Sequence, residues 1–259
     1  MIDARRGVLY PQRMPRFHRL PPPPEGEHLV AWFWVPEWDL PPGETSRQHV
    51  VAYPALNLVV ESSGSIELVG ATTAASHRDL TGSGWAVGAL LRPAAVAALT
   101  DQPAALRDSA TDVRAPELLA AVTEAMTDGA DRHRERAVAC VSRWLADRAG
   151  TPGDAALQAN AMADLLMTDA EVRTAELAAA RLAVSLRTLQ RMAHRYVGLP
   201  PLAMIRRRRL QEAAQRLRDQ PEVDLAALAA ELGYADHAHL TGDFRTVLGM
   251  APSGYRRDV

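Results

Sequence analysis

Short runs of apolar residues, separated by turn-forming residues, fill the amino-terminal two fifths of the chain. The runs are rich in aromatic and β-branched side chains, and segments such as Ser62-Ser63-Gly64 divide them. Because short strands with this spacing are typical of small antiparallel sandwiches and barrels, the pattern predicts such a fold to about residue 110. The predicted strand segments are 29–35, 50–53, 56–60, 66–69 and 85–91.

The spacing of apolar residues changes to a helical period after residue 115, as in Leu118, Val122 and Met126. This pattern predicts helical structure over 115–149. A break at Thr151-Pro152-Gly153 follows, and helical patterns continue beyond it. We therefore predict two domains, 1–150 and 151–259, in an α+β protein. A small N-terminal antiparallel β barrel or sandwich with accessory helices precedes an all-α domain.

The carboxy-terminal part contains an internal repeat with an offset of 51 residues, so that Leu-x8-Gly-x2-Pro occurs twice. Upstream of this pattern the match continues with one residue inserted in the second copy. Two copies of one helical unit are therefore expected. The paired positions are Leu189 and Leu240, Gly198 and Gly249, Pro201 and Pro252, Ala179 and Ala229, Leu182 and Leu232, and Ala183 and Gly233.

Each copy has the pattern of a helix-turn-helix. In the second copy Asp224 is placed to cap the first helix, Gly233 supplies the positive φ of the turn, and Asp236 caps the next helix. The first copy runs from Thr174 to a second helix opened by Ser185. Arg, Gln and Thr on the outer face of such a helix suit contacts to base edges and phosphates in a major groove. The predicted DNA contacts are Ser185, Arg187, Thr188, Gln190, Arg191, His194 and Arg195 in the first copy and Asp236, His237, Ala238, Thr241 and Arg245 in the second.

The segment between the copies, 201–217, predicts one connecting helix with Pro201 in its first turn and an apolar stripe through Leu210 and Leu217. At 1.5 Å per residue such a helix spans roughly 25 Å. With the flanking turns, it would place the two recognition helices about 34 Å apart, which is one turn of B-DNA. One chain is therefore expected to enter two successive major grooves.

Charge is distributed unevenly, although the net charge is only −2 and all 29 basic residues are arginine. Within 181–218 ten arginines accompany a single acid, Glu212. A cluster of one sign is typical of a nucleic-acid-binding segment, because ordinary surfaces mix both signs. A solvated helix face is the alternative interpretation. The charge favours nucleic-acid binding, and together with the two predicted helix-turn-helix units it indicates double-stranded DNA as the partner.

With the repeat, the turn glycine and the connecting helix in place, residues 155–257 resemble the AraC/XylS-type family of bacterial transcriptional regulators. The strongest stretch is 225–255, LAALAAELGYADHAHLTGDFRTVLGMAPSGY, which ends on the family's Gly-x2-Pro-x2-Tyr. The resemblance implies a sequence-specific transcriptional regulator whose amino-terminal part is a β-barrel-like sensor or effector domain. It implies operator DNA, RNA polymerase, a small-molecule effector and a second copy of the chain as candidate partners.

The first copy departs from the family pattern at packing positions, with Ala183 in place of the turn glycine and Ala193 in place of phenylalanine. In the second copy Gly242 stands where the family often has arginine, whereas the first copy retains Arg191. We therefore expect the first unit to supply more of the binding energy.

An alternative function is a small-molecule-binding or catalytic barrel to which the basic segment is only an interaction arm. His18, His28, His49 and His77 form no His-x-His pair, and nucleophile, phosphate-loop and dinucleotide motifs are absent. We therefore predict no catalytic residue, no metal, no cofactor and no enzymatic activity. Aromatic side chains suit an apolar ligand pocket, with core packing as the alternative. The candidate ligand-binding residues are Trp32, Trp34, Tyr53 and Trp85.

The remaining composition bears on the compartment. The one cysteine, Cys140, excludes an intramolecular disulfide framework and fits a reducing environment. No apolar run approaches the ~20 residues of a membrane span, and the first residues lack the apolar core of a secretory signal. We therefore expect a cytoplasmic protein without a membrane partner.

Overall fold

Two antiparallel sheets form the amino-terminal part of the molecule. The computed structural model describes residues 16–50, 54–128 and 131–258. Within these residues six strands form one sheet in the order β1-β2-β7-β4-β5-β8, and β3 pairs with β6 in a second sheet. Every strand pairing in the two sheets is antiparallel, as the sequence predicted. The strands are β1 Arg16–Leu20, β2 Val30–Asp39, β3 Thr45–Val50, β4 Asn57–Glu61, β5 Ile66–Val69, β6 Ser76–Thr81, β7 Ser83–Leu91 and β8 Ala110–Asp112.

The predicted segments 29–35, 56–60, 66–69 and 85–91 correspond to β2, β4, β5 and β7, whereas residues 51–53 of the predicted segment 50–53 lie outside the described residues. The sequence pattern did not predict β1 or β8, and it also missed β3 and β6, which read TSRQHV and SHRDLT. These strands pair along their whole length, from Thr45 opposite Thr81 to Val50 opposite Ser76. Backbone hydrogen bonds hold the pair, and Leu80 of β6 is a single buried apolar residue, so no alternating pattern marks these strands.

Helices cover one face of the six-stranded sheet and continue into the carboxy-terminal part. The predicted helical stretch 115–149 is two helices, α2 and α3, which pack against each other and share a core with Phe33, Val60 and Val87 of the sheet. The helices are α1 Pro93–Leu99, α2 Pro116–Thr127, α3 His133–Ala149, α4 Asp154–Thr168, α5 Ala175–Arg181, α6 Leu186–Tyr196, α7 Pro201–Asp219, α8 Leu225–Glu231, α9 His237–Leu248 and α10 Pro252–Asp258.

Two further cores lie in the carboxy-terminal part, one in each copy of the repeat. The helix α7, called the linker helix below, contributes to both of them. Its Met204 and Ile205 pack in a core with Leu189 of α6 and Leu166 of α4. Its stripe from Leu210 onward packs in the other core, which contains α8, α9 and α10. This arrangement confirms the predicted order of a sheet domain followed by an all-α tandem helix-turn-helix.

The residues predicted to open the helices of both copies do cap them. An N-cap side chain accepts a hydrogen bond from a backbone N–H that has no partner inside the helix, which stabilises the first turn by about 1 kcal/mol. In the first copy the Thr174 side chain accepts from the Leu177 N–H at 3.2 Å, and that of Ser185 accepts from the Thr188 N–H at 3.1 Å. In the second copy the Asp224 side chain accepts from the Ala227 N–H at 2.8 Å, and that of Asp236 accepts from the His239 N–H at 2.7 Å.

Buried and half-buried polar contacts join the amino-terminal part to the helices that follow it. The Asn160 side chain in α4 accepts from the N–H of Ala94 at 3.0 Å and donates to the carbonyl oxygen of His28 at 2.9 Å. Arg107 donates to the carbonyl oxygen of Gly198 at 3.0 Å. Gly198 has a φ of +79°, and a Cβ there would lie 2.7 Å from backbone atoms of residues 103 and 104. Glycine is therefore required at this contact by both conformation and space.

Candidate nucleic-acid interface

The outer face of α6 presents most of the side chains predicted for the first unit, defined here as residues 174–196. Its inner face buries Leu189, Met192 and Tyr196. Ser185 and Thr188 are used within the helix cap, since their hydroxyls lie 2.9 Å apart and the Ser185 hydroxyl also accepts from the Thr188 N–H. The exposed side chains along the rest of the face are Arg187, Gln190, Arg191, His194 and Arg195.

The outer face of α9 is less charged. This helix belongs to the second unit, defined as residues 224–248. Asp236 serves as its N-cap, and the exposed His237 and Ala238 form the first turn. Thr241 is half-buried, and Arg245 is exposed near the carboxyl end. The face therefore carries one arginine where α6 carries three.

One exposed side chain at the start of α9, His239, is not among the predicted DNA contacts. The His239 ring lies outside the buried stripe and meets the Tyr234 ring edge-on, with 5.2 Å between the ring centres. The helical period of Leu240 and Phe244 was a signal that placed His239 on the outer side. His239 joins His237 as a hydrogen-bonding group at the end of the helix that would enter a groove.

Four consecutive arginines of the linker helix, residues 206–209 and called the arginine run below, each contact a different element of the protein. Side chains one residue apart project about 100° apart around a helix, so four in a row point to all sides. Arg206 donates to the Asp243 carboxylate of α9, and Arg207 donates to the carbonyl oxygen of Thr72. Arg208 donates to the carbonyl oxygens of Asp169 and Val172 after α4. Arg209 donates to the carbonyl oxygens of Arg173 and Gly233. All four guanidinium groups therefore donate hydrogen bonds to protein oxygens and do not form a basic surface without protein partners.

Three more arginines of the basic segment 181–218 contact protein groups. Arg181 pairs with Asp169, Arg216 pairs with Glu231 at 3.0 Å, and Arg218 donates to the Tyr255 hydroxyl at 2.9 Å. Arg187, Arg191 and Arg195 of α6 have no ion pair among the described residues. The positive charge that can meet a phosphate backbone is therefore concentrated on α6, in line with the larger share of binding expected for the first unit.

The turn of the first unit is strained where that of the second is not. Ala183 has a φ of +52°, and its counterpart Gly233 has a φ of +74°. A left-handed conformation costs a non-glycine residue about 1–2 kcal/mol, whereas glycine adopts it freely.

Replacing Ala183 with Gly is expected to raise the free energy of unfolding of the first unit by about 0.5–1 kcal/mol, because relief of strain exceeds the added entropy of the unfolded chain. The matched change Gly233→Ala should lower that of the second unit by about 1–2 kcal/mol. Amide hydrogen exchange in α5–α6 and α8–α9 of the full chain measures each unit separately. The two changes in free energy of unfolding need not be equal in size. A lower free energy of unfolding in Ala183→Gly would contradict the conclusion that this turn is strained.

Gly242 lies on the exposed face of α9, and no atom lies within 4 Å of a Cβ built there. In the repeat it corresponds to Arg191 of α6. We expect Gly242→Arg to strengthen DNA binding and to raise the salt slope by about 1, since one more phosphate contact releases one more counterion. Gly242→Ala is the matched control, because it supplies the gain in helix propensity of about 1 kcal/mol without the charge. An unchanged salt slope in the arginine variant would place this face away from phosphates.

The candidate ligand-binding tryptophans do not all lie together. Trp32 and Trp34 share one face of β2, opposite Leu90 and Gly88 of β7. Trp85 lies on the other face of β7, in the core beneath the helices, because its parity along the strand is that of Val87. Tyr53 lies outside the described residues.

The face that carries Trp34 is shaped by glycine and by one buried charge. A Cβ at Gly88 would lie 2.0 Å from the Trp34 ring, so only glycine lets the indole lie on β7. The indole N–H donates to the Asn57 side chain at 3.1 Å. On the same face Glu61 is buried and pairs with Arg78 of β6 at 2.5 Å. Burial raises the pKa of Glu61 despite this arginine.

Within residues 16–50, 54–128 and 131–258, no group of three or more His, Cys, Asp or Glu side chains is placed to hold a metal ion. None of the helices in those ranges is long and apolar enough to cross a membrane.

Two family models match the chain. Residues 178–258 match a helix-turn-helix domain, and residues 18–112 match a domain of unknown function (DUF6597). The first match contains both turns and the whole linker helix. The second contains all eight described strands except the first two residues of β1, which precede it.

Curated relatives share part of their length with this chain. A protein of Streptomyces antibioticus described as a putative AraC-like transcription regulator is 39% identical over 126 residues, which are 48% of this chain and 39% of the relative. A protein of the same description from Streptomyces lividans is 36% identical over 125 residues, again 48% and 39% of the two chains. The chain thus spans about two fifths of the length of the relatives it matches.

Solved structures show a more distant likeness. A crystal structure of an apo ToxT variant from Vibrio cholerae is 13% identical, with a TM-score of 0.44, and the alignment covers 87% of this chain and 97% of that chain. A 1.65 Å structure of ToxT from the same organism gives 11% identity and the same TM-score over 94% and 97%.

Proposed function

We propose, on the premise that the carboxy-terminal part of this chain is a helix-turn-helix domain of the AraC type, that the protein is a sequence-specific DNA-binding transcriptional regulator. One observation carries this proposal. The outer face of α6 keeps Arg187, Arg191 and Arg195 exposed and without an ion pair in the part of the chain that the structure describes, while the arginines on the linker helix contact protein groups. Charge left free on one recognition helix is what phosphate contacts require.

The two units would read DNA with their second helices. The helix-turn-helix mode places the amino-terminal residues of such a helix against base edges in the major groove. Arg187 and Gln190 lie in that part of α6, and Arg suits the O6 and N7 atoms of guanine while Gln suits adenine. Arg191 and Arg195 lie one and two turns further along, where phosphates flank the groove. His237 and Ala238 occupy the equivalent start of α9.

A salt titration of the full chain on promoter fragments tests this function. We expect affinity to fall steeply with salt, because several phosphate contacts release counterions together. At fixed salt, affinity for a specific fragment should exceed that for random DNA of equal length by at least roughly a thousandfold. Binding that is indifferent to salt and sequence would contradict the proposal and would favour a barrel protein with a basic arm.

We further propose that an effector or partner at the amino-terminal domain, residues 1–150, controls the DNA-binding domain, residues 151–259. A ligand can control DNA affinity only if it interacts differently with two arrangements of the domains. The contact between Arg207 and Thr72 offers a route, since it joins the segment after β5 to the linker helix. Burial lowers the pKa of Arg207 to about 10, so the guanidinium remains charged at neutral pH.

We propose that a small molecule binds at the sheet face that carries Trp34. This face also carries the buried Glu61, which pairs with Arg78. Apolar walls with a few polar groups are typical of ligand sites. A thermal-shift screen of the full chain against metabolites tests this, because a ligand of the native state raises its melting temperature by mass action. A hit that Glu61→Gln abolishes would support the site. A broad panel without a hit would favour a domain that only contacts another protein.

The finer expectations from the sequence are part of the same proposal. We propose a cytoplasmic regulator without catalytic activity, which meets RNA polymerase at promoters and forms homodimers. Its relatives are described as transcription regulators, which supports the class. Analytical ultracentrifugation of the full chain with and without DNA tests the oligomeric state.

A further inference from the structure

An acidic side chain lies in the apolar stripe of the second recognition helix. The inner face of α9 buries Leu240, Phe244 and Val247 against the linker helix and α10. Asp243 belongs to the same stripe and is 4% exposed. A carboxylate in such a place is costly unless it is paired and hydrogen-bonded, so its partner must be built into the fold.

That partner is the first residue of the arginine run. The Nε and Nη2 atoms of Arg206 donate to the two carboxylate oxygens of Asp243, the two-pronged geometry that fixes the relative orientation of both side chains. The surrounding groups are Tyr234, whose pKa burial raises, and Arg209, whose guanidinium lies 5.9 Å from the Tyr234 ring centre. The pair thus joins one point on the linker helix to one point on α9.

Arg206 occupies the place on the linker helix where its two cores meet. The preceding residues, Met204 and Ile205, pack with α6 in the first unit, and the stripe from Leu210 packs with α9 in the second. Any rotation or sliding of α9 on the linker helix therefore changes the position of α9 relative to α6.

Apolar contacts alone leave such freedom, because hydrophobic side chains repack when helices shift slightly. Asp243 is buried, whereas the Arg206 side chain is about half exposed. An ion pair with a buried member adds little net stability, but its best-attested role is to select one register among similar packings. We propose that the Arg206–Asp243 pair fixes the orientation of α9 on the linker helix and so determines which spacing between two DNA segments the chain accepts. The spacing part of this proposal rests on the proposed DNA-binding function, whereas the orientation part does not.

The decisive variant replaces both partners with apolar residues, Arg206→Met with Asp243→Leu. This change leaves no unpaired buried charge, so the full chain should remain folded with a melting temperature close to that of the wild type. The matched control is Arg216→Met with Glu231→Leu, which removes the more exposed pair between the linker helix and α8. The charge swap Arg206→Asp with Asp243→Arg tests rescue of the orientation.

Binding is measured on the specific site and on sites with one base pair inserted or deleted between the two contacted segments. One base pair rotates the second segment by about 34° and moves it about 3.4 Å. We expect the wild type and the control to lose about tenfold in affinity on the altered sites, a cost near 1.4 kcal/mol. The apolar pair should bind all three sites within about twofold, and the charge swap should restore the preference.

A second measurement reads the orientation without DNA. Spin labels at Gln190→Cys in α6 and Thr246→Cys in α9, in a Cys140→Ser background, report the distance between the recognition helices. We expect a narrow distribution in the wild type and in the control, and a broadened or shifted one in the apolar pair.

An apolar pair with a narrow, unshifted distribution and a tenfold spacing preference would overturn the proposal. Absence of specific binding by the wild type would instead contradict the proposed function, and the label distances would still decide the role of the pair. If the apolar pair does not fold, the charge swap decides instead: label distances that differ from those of the wild type would overturn the proposal.

Discussion

Replacing Arg208 with Met is expected to lower the free energy of unfolding by about 3–5 kcal/mol. The side chain is 2% exposed and is the largest of the fully buried side chains among the described residues. Its guanidinium donates to the carbonyl oxygens of Asp169 and, at 2.8 Å, Val172, beyond the carboxyl end of α4. Methionine would leave the buried Val172 oxygen without this donor and would remove one of two donors to the Asp169 oxygen, which also accepts from the Val172 N–H at 3.2 Å.

Chemical denaturation of the full chain measures the loss, and two variants control it. Arg208→Lys keeps the charge but not the planar fork, so it should recover only part of the stability. Arg187→Ala, on the exposed face of α6, should change the free energy of unfolding by less than about 0.5 kcal/mol. A small loss for Arg208→Met, together with weakened DNA binding, would mean that Arg208 contacts DNA instead of α4.

Alanine substitutions on α6 are expected to separate base contacts from phosphate contacts. Arg187→Ala and Gln190→Ala should each cost about 1–3 kcal/mol of binding to the specific site and relax specificity at one base pair. Arg191→Ala and Arg195→Ala should weaken all sequences about equally and reduce the salt slope by about 1 each.

The matched control for this series is Arg216→Ala. It removes one positive charge from the same basic segment, but this arginine pairs with Glu231. We expect affinity to change by less than about 0.5 kcal/mol in this variant. If none of the four α6 variants altered binding, the placement of α6 in a groove would be wrong.

Local signals in the sequence were sufficient for the two units. Caps and turns act through neighbouring backbone groups, so Ser185 and Asp236 could be assigned before any fold was known, and the linker helix ends only two residues beyond its prediction. The repeat also placed Ala183 in a turn that needs a positive φ, which the structure has.

The roles of the arginine run could not be predicted in this way. The carbonyl that binds Arg207 belongs to Thr72, which is 135 residues away, and a backbone carbonyl leaves no trace in the sequence. The charge of segment 181–218 predicted a nucleic-acid-binding segment, but that charge includes four guanidinium groups that contact protein. Asp243 was a signal in the sequence that was not used, because an acid three residues after Leu240 falls in the apolar stripe and requires a charged or hydrogen-bonding partner.

The sheet posed a different problem. Alternation places Trp32 and Trp34 on one face of their strand, but nothing local relates the faces of β2 and β7. The register that puts Trp85 opposite Glu37, and hence in the core, is set by pairing across 48 positions. The strands β3 and β6 were missed for another reason, because they carry no alternating apolar pattern although they pair along their whole length.

Insertion of five base pairs between the two contacted segments of the specific site tests the central claim that one chain reads two successive major grooves with fixed geometry. The linker helix has 19 residues and spans about 28 Å, and an inserted half turn moves the second segment to the opposite face of the duplex. Affinity of the full chain should fall to that of the first unit alone, with the remaining footprint over the segment that α6 contacts. Equal affinity for the native and lengthened sites would show that only one unit reads DNA and would contradict this account.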